Sequence, residues 1–377
     1  MAGIYLHVPF CKQRCTYCDF YTQVLPNLIP DFVTSIQKEM HIRKDYLKGE
    51  TIETIYFGGG TPSLLSVDQF QMIFQTIFCL FKVEDHAEIT FEANPDDLSS
   101  DFLGQIRKLP FNRISIGIQA FDNNLLKSIN RRHSAEQAIE AVKRCKTAGL
   151  ENISIDLIYG LPAQNMENWK AQLKAAFELG VKHISVYGLT YEQNTKLWKQ
   201  RERGEIIPTN DEEMIAMYEA LLTGMSDHGY EAYEISNFCK PGSRSKHNSA
   251  YWKMKPYLGL GPSAHSFDGD SRQWNISNIR KYIQAVDESS PFYEVELLSE
   301  RDKYNDYIMV SLRISDGVSE IYLKDNFDKK YVDYFIKSVC IFIDQSDIIH
   351  ENSCFRLTRK GIHISNYIIS ELMFVDD

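Results

Sequence analysis

Residues 4–20 read IYLHVPFCKQRCTYCDF. A short apolar run (4–8) leads into three cysteines, Cys11, Cys15 and Cys18, spaced C-x3-C-x2-C. Such a run, ending in chemistry-bearing residues, reads as a buried parallel strand with a functional loop at its C-terminal end. The pattern recurs. Runs rich in Ile, Val, Phe and Tyr stand at 54–60 (TIYFGGG), 88–94 (EITFEAN), 113–121 (RISIGIQAF), 152–160 (NISIDLIYG) and 183–190 (HISVYGLT).

Amphipathic segments separate them. SVDQFQMIFQTIFCLF opens with a Ser cap and an early Asp, and SAEQAIEAVKRCKTAGL opens with Ser and stops at Gly149. NMENWKAQLKAAFELG stops in the same way at Gly180, and NDEEMIAMYEALLTGMSDHG closes the series. A spacing of about 30 residues is that of a strand–helix unit with a crossover. Six such units predict an α/β fold, a partial (β/α)6 TIM-like barrel over 1–230, with a doubly wound sheet as the alternative. Either places the site at the C-terminal strand ends. There stand Cys11, Gly58 to Thr61, Glu92, Gln119, Asp156 and Thr190. Residues 231–300 are turn-rich and read as a connecting segment. Residues 301–377 read as a smaller C-terminal α+β domain of winged-helix type.

The composition is globular, with 44% apolar residues. A net charge of −10 argues against nucleic-acid or anionic-membrane binding through bulk charge. No stretch approaches a membrane-spanning length, and MAGIYLHVPF lacks the form of a secretory signal. A cytoplasmic protein is expected, and in a reducing compartment eight cysteines are not a disulfide framework. Cys79, Cys145 and Cys340 lie in apolar helical patterns and are expected to be buried. Cys239 and Cys354 are isolated.

The clustered three leave several readings open. A structural zinc site needs a fourth ligand, for which His7 is the nearest residue. CTYC alone would be a redox pair, leaving Cys11 unexplained. A cubane iron–sulfur cluster held by three cysteines uses all of them and leaves one iron for another ligand. YFGGGTPS after the second strand adds a glycine run whose backbone can approach a small ligand closely.

C-x3-C-x2-C on the first loop with GGGTP after the second strand resembles the radical S-adenosylmethionine (SAM) superfamily. IYLHVPFC, FGGGTPS, FEANPDDL, RISIGIQAF, ISIDLIYGLP and YLGLGPSAHSF extend the likeness along nearly the whole chain. They resemble the family of oxygen-independent coproporphyrinogen III oxidases and, within it, the HemW-type haem chaperones. The resemblance implies a [4Fe–4S] cluster on Cys11, Cys15 and Cys18. SAM would chelate the fourth iron, and one electron from the cluster would cleave its sulfonium to a 5′-deoxyadenosyl radical. Tyr5 and Tyr17 would flank the cluster and the adenine. Gly59, Gly60 and Thr61 would meet the methionyl amine, and Glu92 would meet cationic SAM. Gln119, Arg131 and Asp156 match positions that hold a second SAM in the oxidases. A buried Asp156 also needs a polar partner, for which Arg131 is expected.

The oxidases typically carry C-x3-C-x2-C-x-C. Here the last position is Phe20, as in the HemW-type pattern, and the chain starts ten residues before Cys11. KHNSAYW (246–252) matches the H-N-x-x-Y-W motif of HemW-type proteins. The resemblance thus implies haem as cargo and haem-accepting proteins of respiratory type as partners, with peripheral membrane association compatible. Residues 240–249 (KPGSRSKHNS) read as a mobile polar loop. His247 is the leading haem-ligand candidate, with Tyr251 and Trp252 covering a ring face and His265 next in line. Oxidative decarboxylation of coproporphyrinogen III is the alternative function.

Overall fold

The computed structural model describes residues 1–375. Six parallel strands follow the expected runs: β1 (Ala2–Val8), β2 (Ile52–Gly59), β3 (Val83–Ala93), β4 (Arg113–Gln119), β5 (Ile153–Tyr159) and β6 (His183–Gly188). Each is followed by helix, and the C-terminal strand ends converge on one mouth. The helix starts have the chemistry expected. Ser66 and Ser134 close capping boxes with Gln69 and Gln137. Past the helix Ala135–Thr147, Gly149 takes a φ of +81° and the Leu150 amide returns to the Cys145 carbonyl at 2.9 Å. That bond ends the helix in a Schellman turn.

Burial follows from strand composition. Ile4, Leu6 and Val8 are fully buried, as are Ile114, Ile116 and Ile118. Phe57 on β2 meets Phe70, Phe74 and Phe111 at ring separations of 5.3–5.4 Å, and Phe91 on β3 meets Phe111 at 4.7 Å. Each buried Phe contributes about 1.5–3 kcal/mol through apolar area removed from water. This wedge fixes β2 and β3, the strands that carry the glycine run and Glu92.

The segment 231–300 differs from its reading as a connection. It supplies β7 (Glu231–Ala232), β8 (Asn237–Cys239), β9 (Tyr257–Leu260), β10 (His265–Phe267), β11 (Ser271–Asn275) and β12 (Tyr293–Leu297). These extend both edges of one open sheet, in the order β12-β11-β10-β9-β1-β2-β3-β4-β5-β6-β8-β7. β9 lies parallel to β1 as a seventh parallel strand. The reason lies far away in sequence. Arg43, buried on the helix Ile29–Ile42 side, donates to the Gly259 carbonyl (3.0 Å), Ser266 Oγ (3.0 Å) and Gln273 Oε1 (2.8 Å). Its ion-pair partner Glu39 accepts from Asn275 Nδ2 (2.7 Å) and the Gly261 amide (2.8 Å). The pair thus pins the added strands to the barrel's first helix.

The C-terminal residues have a separate apolar core around Tyr304, Phe335, Phe342 and Phe355. The order is helix Glu300–Ser311, β13 (Val318–Ser319), helices Glu320–Asn326 and Lys329–Asp344, then β14 (Ile348–Glu351) and β15 (Cys354–Leu357). With sheet order β13-β15-β14 this is a winged-helix arrangement, followed by a last helix, Ser365–Leu372. Cys145 is buried, as expected, but Cys79 and Cys340 are exposed. Both lie on helices whose apolar pattern wraps past the buried stripe. No helix among the described residues is long and apolar enough to cross a membrane.

Candidate radical SAM site

The three cysteines lie three to ten residues beyond the end of β1 and line one cavity of about 530 Å³ at the mouth of the sheet. Gly59, Gly60 and Thr61 from β2, Glu92 and Asn94 from β3, Gln119 from β4 and Asp156 from β5 line the same cavity, with Tyr17 and Arg131. Gly60 is there because the backbone comes so close. Its amide donates to the Val8 carbonyl at 2.8 Å, and a Cβ would lie 2.6 Å from the Phe10 carbonyl oxygen. This packs the glycine turn directly on the chain leading into Cys11.

Two cysteine sulfurs are joined by a hydrogen-bond chain. Thr61 Oγ1 donates to Cys11 Sγ (3.6 Å), Asn94 Nδ2 donates to Thr61 Oγ1 (3.1 Å), Arg131 donates to Asn94 Oδ1 (2.6 Å), and Arg131 also donates to Cys15 Sγ (3.4 Å). The cysteine loop is held from outside as well. Lys12 pairs with Asp97 at 2.6 Å, and Arg132 pairs with Asp96 and Asp97. Asn130 Nδ2 donates to the Arg14 carbonyl at 2.8 Å. Asn94, Asp97, Asn130 and Arg132 carry no expectation from the sequence. FEANPDDL (91–98) and INRRHS (129–134) contain them, but only the fold shows that these two stretches clasp the cysteine loop.

Burial pushes the Cys18 thiol up to about 12 and the Cys11 thiol upward too. Burial therefore disfavours the thiolate form of Cys11 and Cys18, a penalty that a bound metal group relieves. His7 is committed elsewhere: its Nδ1 meets Tyr5 Oη at 3.1 Å and its Nε2 meets the Tyr21 carbonyl at 2.9 Å. Among the described residues the cavity offers three thiols and no histidine; a structural zinc site takes four ligands, whereas three thiolates suffice for a cluster whose remaining iron takes another ligand. The donor set fits a cluster.

The two carboxylates fit a cationic ligand. Glu92 accepts from Tyr56 Oη (2.7 Å) and the Gly59 amide (3.2 Å), yet burial pushes it up to about 7. Burial likewise pushes Asp156 up to about 6. Its hydrogen-bond partners are Ser115 Oγ at 3.2 Å and Ser185 on the neighbouring strand, while Arg131 makes no hydrogen bond to it and acts only through its charge, as Arg113 does. Arg131 instead spends its donors on Asn94, Cys15 and the Gly117 carbonyl. Gln119 lines the cavity in a left-handed conformation, φ +68°. Tyr5 is not among the lining residues. It faces a cavity inside the barrel and stacks on Tyr56 at 6.2 Å.

His247 is placed unlike a loop ligand. KHNSAYW forms a helix, Lys246–Trp252, whose N-terminus is held by Glu88: the His247 amide donates to Glu88 Oε1 at 2.9 Å. The His247 side is only 3% exposed and both ring nitrogens are engaged, Nδ1 with Thr54 Oγ1 (2.7 Å) and Nε2 with Tyr251 Oη (2.8 Å). Its ring stacks on Tyr56 at 5.0 Å, and burial lowers its pKa to about 3. A polar sequence reads as a loop. Here Ser245 caps it, accepting from the Asn248 amide at 3.3 Å, and the helix packs His247 into the barrel.

A three-cysteine loop facing a glycine turn and buried carboxylates, at the mouth of an open parallel barrel, defines a radical SAM protein. The family model described as the Radical SAM superfamily matches residues 5–176. The chain is 33% identical over 373 residues to the heme chaperone HemW of Lactococcus lactis, covering 99% of this chain and 97% of that one. It is 32% identical to the heme chaperone HemW of Bacillus subtilis, covering 99% of both. The chain belongs to the HemW family within the radical SAM superfamily. The solved coproporphyrinogen III oxidase HemN of Escherichia coli shares the fold, with TM-score 0.86, 22% identity and coverage of 99% of this chain and 90% of that one.

Proposed function

We propose that this chain is a haem chaperone, which binds haem and passes it to acceptor proteins while retaining a [4Fe–4S] cluster and SAM. The observation that carries the reading is Phe20, which stands where the oxidases typically have a further cysteine. Phenylalanine replaces neither the acid–base nor the ligand chemistry of a thiol. It is 62% exposed at the wall of the cysteine cavity. Near-full-length similarity to heme chaperones in two organisms supports the same reading.

Cys11, Cys15 and Cys18 would hold the cluster, with Thr61 and Arg131 donating to the first two sulfurs. When bound, cluster and SAM supply one-electron reductive cleavage of a sulfonium. Gly59, Gly60 and Thr61 orient the methionyl end against the backbone. Glu92 gives up its proton and faces the cation, and Tyr17 walls the cavity. Gln119, Arg131 and Asp156 would serve a second SAM. Respiratory-type haem acceptors and cytoplasmic residence, with peripheral membrane contact where an acceptor is membrane-bound, belong to the same reading.

The test is an anaerobic side-by-side assay of haem binding and coproporphyrinogen III turnover on reconstituted protein. Haem uptake without protoporphyrinogen formation is expected. Turnover at rates that complement an oxidase-deficient strain overturns the reading.

A further inference from the structure

If the chain carries haem, some group must hold it, and His247 has both nitrogens spent. A second cavity, of about 320 Å³, opens beside β1 against β9 and β10. Phe20, Tyr251, Tyr257 and His265 line it, with Asp19 and Tyr5. Tyr251 and Tyr257 meet edge to face at 4.6 Å and present an aromatic wall. Phe20 is 62% exposed and lines this cavity as well as the cysteine cavity. A large apolar side chain so exposed gains from a flat apolar ligand that covers it.

His265 is the first residue of β10, opposite Trp274 of β11, with their rings 6.3 Å apart. It is exposed, and neither ring nitrogen has a hydrogen-bond or ion-pair partner among the described residues. His7, the other histidine on this cavity, has both nitrogens engaged. The position of His265 is built, not accidental. A Cβ on Gly259 would overlap the His265 carbonyl oxygen, so only glycine lets the YLGLGPSAH turn fold back onto β9. The Glu39–Arg43 pair holds that turn through Gly259, Gly261 and Ser266.

We propose that His265 is the axial ligand of the carried haem, with Phe20 and Tyr257 against the macrocycle. This rests on the chaperone reading above. The geometry suits a cargo. At about 320 Å³ the cavity stands at the bottom of the range of about 300–1,000 Å³ that fits small ligands; a macrocycle larger than that would be seated in part, with the rest accessible to an acceptor. Asp19 on the wall would repel the haem propionates and so favour their facing solvent. Partial desolvation at the cavity wall and the nearby Arg272 lower the pKa of His265, which keeps its imidazole neutral and able to coordinate near neutral pH. Phe20 and Asp19 are shared with the cysteine cavity, so haem would sit beside the cluster site without using its ligands.

The experiment is a haemin titration of the anaerobically reconstituted full chain, followed by the Soret band and by haem loss to apomyoglobin. In His265→Ala the histidine-ligated spectrum should be lost and haem loss should quicken at least tenfold. Iron and sulfide content should match wild type, since His265 is exposed. Added imidazole should restore the ligated spectrum. In His247→Ala that spectrum should persist. If wild type takes up no haem, the chaperone reading fails and this assignment with it. If wild type binds haem and His265→Ala is unchanged, only the assignment fails. Loss of the spectrum in His247→Ala alone would give the role to His247.

Discussion

The two walls of the barrel mouth are built in opposite ways. On the cysteine side, three thiols, a glycine turn and Glu92 come from the ends of β1, β2 and β3, neighbours in both sheet and sequence. On the β9–β10 side, Tyr257 and His265 are brought against Phe20 by Arg43 and Glu39, more than 200 residues earlier in the chain. The first wall is written as contiguous motifs because its ligands must meet small cofactors through backbone and short loops. The second rests on the pairing of β9 with β1 and on one buried ion pair, both contacts between residues far apart in the chain, so its existence depends on tertiary packing. A site for resident cofactors and a site for a transferable cargo thus differ in how firmly local sequence specifies them.

The largest expected effect falls on the first wall. Replacing Cys11, Cys15 or Cys18 by Ala should abolish cluster assembly, read as loss of iron, sulfide and the charge-transfer absorbance. A variant that keeps its full iron content would remove that cysteine from the ligand set.

The second wall should yield to Arg43→Met. Removing one partner of a buried pair leaves the other charge stranded, at a cost of about 3–5 kcal/mol. Urea unfolding should report this loss, and haem uptake should suffer more than cluster assembly. Equal loss of both would show that the two walls are one cooperative unit.

Glu92→Gln should weaken SAM binding roughly tenfold, because a charge-assisted contact of about 1.5–3 kcal/mol becomes a neutral one. Calorimetry on clustered protein reads it. Unchanged affinity would take Glu92 out of contact with SAM.

A smaller effect concerns pH. Folding raises Glu92 from 4.5 to about 7 by burial, with Asp156 raising it further and Tyr56 and Arg113 opposing. The folded chain therefore binds the proton more tightly than the unfolded one between those values. Its contribution to stability declines as pH rises through that window. A cation favours the ionised carboxylate, so SAM should bind more tightly as pH rises from 6 to 8. Glu92→Gln should flatten that profile. The smallest expected change is in Phe20→Cys, which should gain no coproporphyrinogen turnover; any sustained protoporphyrinogen production would show that one thiol separates the two activities.

Much of this was legible in residue order. The six strands, the Ser66 and Ser134 caps and the Gly149 stop follow from local chemistry, and the structure has them. Cys11, Gly60, Glu92 and Asp156 could be placed at one mouth from strand ends alone. The rest failed for physical reasons. KHNSAYW is polar, so its helix and the burial of His247 depend on Thr54, Glu88 and Tyr251 supplying partners. Strands as short as β8 and β10 have too few residues to show alternation. Asp156 took Ser115 from the neighbouring strand, a register fact, while Arg131 was claimed by Asn94 and a cysteine sulfur.

The most direct test is a single analysis of anaerobically reconstituted protein loaded with haemin, counting non-haem iron, sulfide and haem together. Two separate walls predict about four irons and four sulfides of one cubane alongside one haem per chain. Haem that binds only as the cluster is lost, or a single zinc with no iron uptake, would contradict the account.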